Sequence, residues 1–344
     1  MPMPEIQAIV ANFPVGSFES YTPVEVGLIH KTYRVETNTG TFCLQGLHPK
    51  LATDEILADY KVVTGFLAER DFPAPRLVET STGAAAWDDE DETRWRMTTW
   101  LSGKTYNAIQ SEDMAVSAAS MLGRFHAVMD ELDYTFQTKH PLHQTRYHLE
   151  CMQKAAEKYQ ASPWFEKVKG MIEEVEEVLP TLLLPTLPQR VVHGDPKISN
   201  ILFDDDLQAC AVIDLDTCCR HSVLVDLGDA VRSWCREGSE DEEKELALPW
   251  FAAMMKGYAQ GGLRLTAEEL AWLPKAGRLI TLELSARFLA DTLEDSYFGW
   301  DQSRYSSRRE HNFARAKGMI HLARDMQTHQ GRIEEIVAEY FTPV

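Results

Sequence analysis

The sequence predicts an α+β fold with two lobes: a small β-rich N-terminal lobe with one main helix and a larger, mostly helical C-terminal lobe. Segments rich in β-branched and aromatic residues crowd residues 20–100. Helical periodicity dominates after that point. One polar segment, residues 189–216, interrupts the helical region. We therefore predict a boundary at a hinge, with residues 1–101 in the first lobe and residues 102–344 in the second.

The N-terminal lobe is predicted from five strand candidates and one helix. The strand candidates are separated by turn-forming residues. They cover residues 21–27, 32–37, 42–47, 75–80 and 94–100. A helix is predicted over residues 53–69, because apolar side chains recur there at helical spacing and Thr53 can cap the first turn. One helix is therefore expected to pack beside the strands.

The C-terminal lobe is predicted from helical patterns of apolar residues. These patterns cover residues 111–131, 144–178, 240–260, 266–294 and 307–328. The exception, residues 189–216, has the pattern of a short apolar strand, a polar loop, a second strand, an acidic turn and a third strand. Polar side chains therefore gather at the ends of these strands.

Composition and charge exclude several classes of function. The chain of 344 residues is long enough to bury the cores of two lobes. Its 34 basic and 53 acidic side chains give a formal charge of −19, which would repel nucleic acid and anionic membrane surfaces. The six cysteines form no Cys-x-x-Cys pair, and prolines break the longest apolar stretch. We expect a cytoplasmic monomer or homodimer that binds neither nucleic acid nor membranes.

The polar loop and the strand end after it carry the residues of a phosphoryl-transfer site. Asp195 is followed by Asn200 five residues later and by Asp214 at the end of a strand. Transfer of a phosphoryl group from ATP requires mainly positioning and charge neutralisation. Asp195 can accept the proton of an acceptor hydroxyl as the catalytic base, and Asn200 and Asp214 can supply oxygen ligands to Mg²⁺. His193 is expected to brace the loop.

A turn with a capping aspartate would explain His-Gly-Asp by itself, because glycine and aspartate are common turn residues. The full pattern is more specific. It joins His-Gly-Asp to an asparagine five residues after the aspartate, then to a strand, an acidic turn and Ile-Asp at the next strand end. This combination favours the catalytic interpretation.

These residues resemble the aminoglycoside phosphotransferase and choline kinase family over nearly the whole chain. The resemblance implies a bilobal protein-kinase-like fold with a nucleotide-binding N-terminal lobe and a catalytic, substrate-binding C-terminal lobe. It implies ATP as phosphoryl donor, Mg²⁺ as cofactor and a small-molecule acceptor with an alcohol group. It also implies structural roles beside the site for Asp226 and Asp229, which lie in the segment LVDLGDAVR.

Four segments resemble the bacterial N-acetylhexosamine 1-kinases, which phosphorylate the anomeric hydroxyl of N-acetylhexosamines. They are IDLDT, GLIHKTYRV, WRMTTWLSGKTYN and LELSARFLADTLEDSYF. The resemblance implies a role in carbohydrate metabolism and places Asp195 at the reacting hydroxyl, with Asp216, Arg287 and Tyr297 also at the sugar. For Arg287 an intrahelical ion pair with Asp291 is the alternative, because the two residues are four positions apart.

The residues expected at the nucleotide depart from the usual family pattern. Gln45 lies where a typical kinase of the family has a strand lysine that holds the ATP phosphates, and the hexosamine kinases also carry glutamine there. Lys31, in the turn between the first strands, could supply a substitute charge, and Gly27 lies in the same turn. Trp100 and Leu101 are expected to contact the adenine at the hinge, although a core position for Trp100 is as plausible.

Three other functions compete with a sugar kinase. A kinase for another small hydroxylated metabolite, such as choline, homoserine or an aminoglycoside, would keep the same catalytic residues. A nucleotide-binding pseudokinase would explain the missing lysine, but the retained Asp195, Asn200 and Asp214 argue against it. A protein kinase is disfavoured, because the C-terminal region lacks the Asp-Phe-Gly and Ala-Pro-Glu segments.

Overall fold

A six-stranded antiparallel sheet forms the N-terminal lobe in a computed structural model that describes residues 3–24, 30–139 and 142–341. Its strands are β1 (Phe18–Val24), β2 (Lys31–Thr37), β3 (Gly40–Gly46), β4 (Leu77–Val78), β5 (Trp87–Asp88) and β6 (Arg94–Thr99). They are ordered β1-β2-β3-β6-β4, and β5 also pairs with β6. Two helices accompany the sheet, α1 (Met3–Val10) and α2 (Asp54–Glu69).

The two helices of this lobe belong to different cores. Apolar side chains of α1 pack with Val35, Leu44 and Trp95 of the sheet to form one small cluster. The buried face of α2, with Tyr60 and Val63, instead joins the large core of the C-terminal lobe. Helix α2 therefore connects the lobes through apolar packing.

The C-terminal lobe consists of eight helices and four short strands in the described part of the chain. The helices are α3 (Glu112–Met129), α4 (Thr145–Lys158), α5 (Pro163–Val178), α6 (Val223–Trp234), α7 (Leu248–Gln260), α8 (Ala267–Glu294), α9 (Arg308–Thr328) and α10 (Gln330–Tyr340). The strands are β7 (Arg190–Val192), β8 (Ile201–Phe203), β9 (Ala209–Val212) and β10 (Cys219–His221). Strand β7 pairs with β10 and β8 pairs with β9, so two small antiparallel sheets carry the segments on either side of the polar loop.

Helix α8 is the central element of this lobe. It packs against α4, α5, α6, α9 and α10. Its start is fixed by a capping box, in which the Thr266 hydroxyl accepts from the Glu269 backbone N–H and the Glu269 carboxylate accepts from the Thr266 N–H. Helix α8 therefore joins five other helices of the lobe through direct packing.

The predicted α+β bilobal fold is confirmed, and several elements differ from the sequence prediction. The segment at residues 144–178 is two helices, because Ser162 caps a new helix that begins at Pro163. The helix predicted from residue 240 begins at Leu248. Helix α10 was not predicted. Within the described residues, no helix combines the length and apolarity needed to cross a membrane.

Candidate active site

The catalytic loop follows strand β7 and turns sharply at Gly194. This glycine has φ of +84°, and a Cβ atom there would lie 2.5 Å from the Thr217 carbonyl oxygen. A larger residue would therefore meet both backbone strain and a collision. The turn leaves the Asp195 side chain about one-third exposed in the cleft.

Asp226, at the first turn of α6, fixes the loop from behind. Its carboxylate accepts hydrogen bonds from the backbone N–H groups of His193 at 2.6 Å and Gly194 at 2.9 Å. A third bond, of 2.9 Å, comes from His126 Nε2. Burial alone would raise the pKa of Asp226, but these donors, His126 first, lower it. Asp226 is fully buried, and the structure places it as a support of the loop.

His193 braces the loop through both ring nitrogens. Nε2 lies 2.9 Å from the Ile213 carbonyl oxygen, which can only accept, so Nε2 carries the proton. Nδ1 then accepts the backbone N–H of Asp195 at 3.3 Å. The His193 ring thus links the catalytic loop to the strand end that carries Asp214, in the position expected for a bracing residue.

Asn200 and Asp214 lie at the ends of adjacent segments. The Ile213 N–H donates to the Asn200 carbonyl at 2.9 Å, which ties these segments together. The Asn200 amide nitrogen donates to the Asp195 carbonyl oxygen at 2.8 Å, so the amide oxygen of Asn200 is left for another partner. Asp214 has left-handed backbone angles, φ 65° and ψ 54°, and its side chain is exposed in the cleft.

The donor set at Asn200 and Asp214 suits a hard cation. Within the described ranges the Asp214 carboxylate has no hydrogen bond or ion pair. Its pKa is raised by burial of the surrounding site and by the negative charges of Asp216 and Asp195. Mg²⁺ bound to these two oxygen donors would neutralise phosphate charge, and the phosphates would complete its coordination.

Lys197 is a site residue that sequence reasoning missed. Its Nζ lies 2.7 Å from Asp195 Oδ2. Burial alone would raise the pKa of Asp195, but the Lys197 charge and hydrogen bond lower it. Asp195 is therefore ionised at neutral pH, as a base must be. The signal in the sequence was a lysine two residues after the catalytic aspartate, in the same polar loop.

Asp229 lies one turn after Asp226 on α6 and binds Arg232. The Arg232 Nε donates to Asp229 at 2.8 Å, and its Nη1 donates to Glu240 at 2.8 Å. Asp229 and Arg232 are both buried. The arrangement fits the structural role predicted for Asp229, and the Arg232 charge also helps to lower the pKa of Asp195.

Asp216 faces the other lobe. Both of its carboxylate oxygens accept from the Arg96 guanidinium, with Nη2 at 2.8 Å from Oδ2. This guanidinium charge holds the pKa of Asp216 well below its usual range, although burial opposes the shift. The same Nη2 donates to Gln45 Oε1 at 2.8 Å. The role of Asp216 in acceptor binding stays a prediction, and Arg96 is a second residue that sequence reasoning missed.

The other residues predicted at the nucleotide are less closely grouped. Lys31 is exposed at the start of β2, and Leu101 is half-buried after β6. The Trp100 ring is half-buried and contacts the Arg34 guanidinium, 5.4 Å from the ring centroid. Gly27 lies outside the described residues. Contacts of these four residues with ATP stay predictions.

The alternative for Arg287, an ion pair with Asp291, is wrong. The Asp291 carboxylate accepts the backbone N–H groups of residues 296–298 and the side-chain amide of Asn312. Arg287 is half-buried and lies over the Phe298 ring, 5.4 Å from its centroid. Its side chain makes no hydrogen bond or ion pair with the residues that the structure describes. Tyr297 is 63% exposed, and its ring contacts the Lys50 ammonium of the other lobe.

Comparison with known proteins places the chain in a family. Residues 20–268 match APH, the phosphotransferase enzyme family. The chain belongs to this family. It is a small-molecule kinase of the aminoglycoside phosphotransferase type, which confirms the broader of the two predicted resemblances. The narrower resemblance, to N-acetylhexosamine 1-kinases, stays a prediction.

Relatives of this phosphotransferase are distant but cover most of its length. Homoserine kinase of Rhizobium meliloti (strain 1021) is 24% identical over 303 residues, which is 84% of each chain. Homoserine kinase of Methylobacillus flagellatus is 24% identical over 296 residues, 86% of this chain and 85% of the relative.

Solved structures confirm the protein-kinase-like fold of the phosphotransferase. A microcompartment-associated aminopropanol kinase superposes with a TM-score of 0.68 at 16% identity, over 96% of this chain and 99% of the other. An amicoumacin kinase, in complex with AMP-PNP and Ca²⁺, superposes with a TM-score of 0.64 at 15% identity, over 93% of each chain. At such identities the likeness concerns the fold alone.

Proposed function

We propose that this phosphotransferase transfers the γ-phosphoryl group of ATP, with Mg²⁺, to the hydroxyl of a small acceptor. The observation that carries the proposal is the grouping of Asp195, Asn200 and Asp214. One carboxylate of this group is paired and ionised, and the other is left open beside a free amide oxygen. A base and a cation site side by side are what phosphoryl transfer requires.

The proton of the acceptor goes to Asp195. Oδ2 of this carboxylate is occupied by Lys197 Nζ, whereas Oδ1 has no hydrogen bond from the described residues. We assign Oδ1 as the atom that orients the acceptor hydroxyl and takes its proton. As the acceptor oxygen bonds to the γ-phosphorus, the bond to the β-phosphate oxygen breaks and ADP leaves.

The acceptor that we propose is a sugar of the N-acetylhexosamine class, phosphorylated at its anomeric hydroxyl. The proposal is supported by the four sequence segments that resemble the hexosamine 1-kinases. It is also supported by Arg287, whose guanidinium donors are unused by the described residues, and by the exposed ring of Tyr297. Sugar-binding sites commonly combine charged hydrogen-bond donors with an aromatic ring that stacks on the apolar sugar face.

Homoserine is the second candidate acceptor. The specific observation in its favour is that relatives covering 84% of this chain carry the name homoserine kinase. A free guanidinium at Arg287 would also suit the carboxylate of an amino acid. The two acceptors differ in the product, since one yields a glycosyl phosphate and the other an ordinary phosphate ester.

A panel of acceptors decides between them. Purified enzyme with MgATP is assayed for ADP release with N-acetylglucosamine, N-acetylgalactosamine, homoserine, choline and an aminoglycoside. We expect turnover with an N-acetylhexosamine and a product whose ³¹P signal couples to the anomeric proton. Turnover of homoserine or choline alone would overturn the sugar assignment and leave the kinase assignment in place. Binding of MgATP without turnover of any acceptor would favour a pseudokinase.

The Arg287 side chain supplies a sharper test of the proposed acceptor contact. We expect Arg287→Met to raise the KM of the accepted substrate by about tenfold or more, because a charged hydrogen bond is lost, with the KM of ATP unchanged. Arg332→Met is the matched control, since Arg332 forms a surface pair with Glu335 on α10. Equal effects on both KM values would place Arg287 outside the acceptor pocket.

A further inference from the structure

Arg96 and Asp216 form a buried ion pair between the two lobes. Arg96 lies on β6 of the N-terminal lobe, and Asp216 lies in the short 3₁₀ turn Leu215–Thr217 of the C-terminal lobe. Each side chain is only 2% exposed. Charges are expensive to remove from water, so such a pair requires close and complete partnering. The bidentate contact between the guanidinium and the carboxylate provides close partners for both terminal nitrogens, whereas the buried Arg96 Nε has no hydrogen-bond partner among the described residues.

Three further side chains complete the surroundings of this pair. Gln45 Oε1 accepts from Arg96 Nη2 at 2.8 Å. The Tyr60 ring of α2 lies under the guanidinium, with Arg96 Cζ 3.8 Å from the ring centroid. His30 Nε2 lies 3.7 Å from Asp216 Oδ2. The pair therefore joins β3, β6, α2 and the segment before β2 to the turn after Asp214.

The position of Arg96 explains the missing lysine. Gln45 stands where the family usually has a strand lysine, and Arg96 is its direct cross-strand partner in the β3–β6 register. The positive charge absent from β3 is thus present on the next strand, at the same level of the sheet. Asp216, its carboxylate partner, is two residues from the open carboxylate of Asp214.

We propose that Arg96 is a positioning residue for phosphoryl transfer, which holds the Asp214 turn through Asp216 and supplies, at this level of the sheet, the cation that β3 lacks. This inference rests on the proposed function. Arg96 does not contact the phosphates itself, because both terminal nitrogens are bonded and one face of the guanidinium is covered by Tyr60. It acts through the turn that presents the Asp214 carboxylate.

Charge balance gives the mechanism of this positioning. Three carboxylates, Asp195, Asp214 and Asp216, lie close enough to influence one another. Lys197 neutralises Asp195 and Arg96 neutralises Asp216, so one open negative charge remains for the cation at Asp214. Without Arg96, a second unpaired carboxylate would lie two residues from the metal ligand. The Asp216 carboxylate would repel that of Asp214 and would bind a different donor, and both effects would displace the turn.

The decisive variant is Arg96→Met, with nucleotide binding as the first readout. Thermal unfolding is followed with AMP-PNP alone and with AMP-PNP plus Mg²⁺, since a ligand of the folded state raises the apparent stability. We expect the affinity for Mg²⁺ in the presence of nucleotide to fall about 10- to 100-fold, the usual cost of losing a residue that orients a metal ligand. We expect binding of AMP-PNP without metal to change much less.

The matched control is Arg94→Met. Arg94 lies on the same strand, but its guanidinium binds Asp54 and Asp88 at the surface of the N-terminal lobe. We expect its Mg²⁺ response to equal that of the unaltered protein. If Arg96→Met also keeps the unaltered Mg²⁺ affinity, the pair is only a structural contact and the proposal is overturned.

Moving the positive charge from β6 to β3 keeps the proposal testable if Arg96→Met folds poorly. In the double variant Gln45→Lys with Arg96→Met, the cation returns to β3. The Gln45 amide oxygen already lies 2.8 Å from the Nη2 atom that binds Asp216, so a lysine at this position can reach the same carboxylate. We expect the double variant to recover at least about tenfold of the lost Mg²⁺ affinity. A folded double variant without recovery would overturn the idea that a cation at this level of the sheet holds the Asp214 turn.

The failure of this inference can be separated from failure of the proposed function. If the unaltered protein shows no stabilisation by AMP-PNP plus Mg²⁺, the proposed kinase chemistry fails and the inference fails with it. If the unaltered protein responds and the Arg96 variants respond identically, only the inference fails. Neither measurement requires the acceptor to be known.

Discussion

The catalytic loop and the interior strands β3 and β6 of the N-terminal sheet balance their charges in different ways. In the catalytic loop, Asp226 binds the backbone and Lys197 pairs with Asp195, all within the C-terminal lobe. On the interior strand β6, the pair of Arg96 and Asp216 joins residues 120 positions apart in sequence and on different lobes. The contacts of the catalytic loop are complete within one lobe, whereas the Arg96–Asp216 pair exists only when the lobes are packed together.

Because of this difference, mutations in the two regions should affect different properties, catalysis in one case and stability or metal binding in the other. Changes at Asp195 should remove a reacting group and leave the fold alone, because its carboxylate is partly exposed and its loop is held by other residues. Changes behind the loop, or between the lobes, should alter stability or metal binding as well. If the catalytic loop is as self-contained as its contacts indicate, these two kinds of change will give different results.

The largest expected effect is that of Asp195→Asn on turnover. The amide keeps the shape of the side chain but cannot accept the proton of the acceptor, so we expect kcat to fall about 10²- to 10⁴-fold. The midpoint of thermal unfolding should change little. Steady-state kinetics and a thermal scan measure both quantities on the same preparation.

Asp205→Asn is the control for this variant. Asp205 forms a carboxylate–ammonium contact of 2.7 Å with Lys104, the same length as the Asp195–Lys197 contact, but on the surface. We expect it to leave kcat unchanged. Unaltered turnover in Asp195→Asn would refute the role of Asp195 as base. A large loss of stability would show that the loop depends on the carboxylate itself.

The catalytic loop could be predicted from the sequence because its chemistry is local. The spacing of Asp195, Asn200 and Asp214 shows directly which polar groups lie at neighbouring strand ends. The same holds for the two-lobe fold, which follows from the switch between strand and helix periodicity. The break before Pro163 was also visible, as a serine cap followed by proline.

The cross-lobe pair could not be predicted in the same way. Arg96 becomes a partner of Gln45 only through strand register, and a partner of Asp216 only through lobe packing. The alternative for Arg287, an ion pair with Asp291, failed for a similar reason, since the Asp291 carboxylate binds the chain that folds back at residues 296–298. Spacing along a helix shows which pairs are possible, but the following loop decides which of them form.

An intermediate effect is expected at His143, which supports the catalytic loop from the far side. Its Nδ1 lies 3.1 Å from Glu283 Oε1, and its Nε2 lies 3.3 Å from the Gly194 carbonyl oxygen. Both partners accept, so both ring nitrogens carry protons. Burial alone would lower the pKa of His143, but the hydrogen bond and charge of Glu283 raise it to about 9.

The pH dependence of stability follows from this shift. The folded-state pKa lies above the unfolded value of about 6.5, so the contribution of His143 is complete below pH 6.5 and is lost as the pH rises through about 9. Urea unfolding at several pH values should show a decline in the free energy of unfolding, at most about 3 kcal/mol from this group. His143→Gln should flatten the decline, and an equally steep decline in this variant would contradict a protonated His143.

The smallest expected effect is a shift of the pH–rate profile in Lys197→Met. Asp195 acts as a base only when ionised, so kcat/KM falls as the pH drops below its pKa. Lys197 lowers that pKa, and Arg232 and His193 contribute less. Removal of the Lys197 ammonium should therefore move the acid limb of the profile to higher pH.

Lys104→Met, which removes a lysine paired with Asp205 at the surface, should leave the acid limb in place. An acid limb that stays fixed in Lys197→Met would show that Asp195 is ionised without Lys197. The loop backbone and its buried supports would then be sufficient to keep its pKa low.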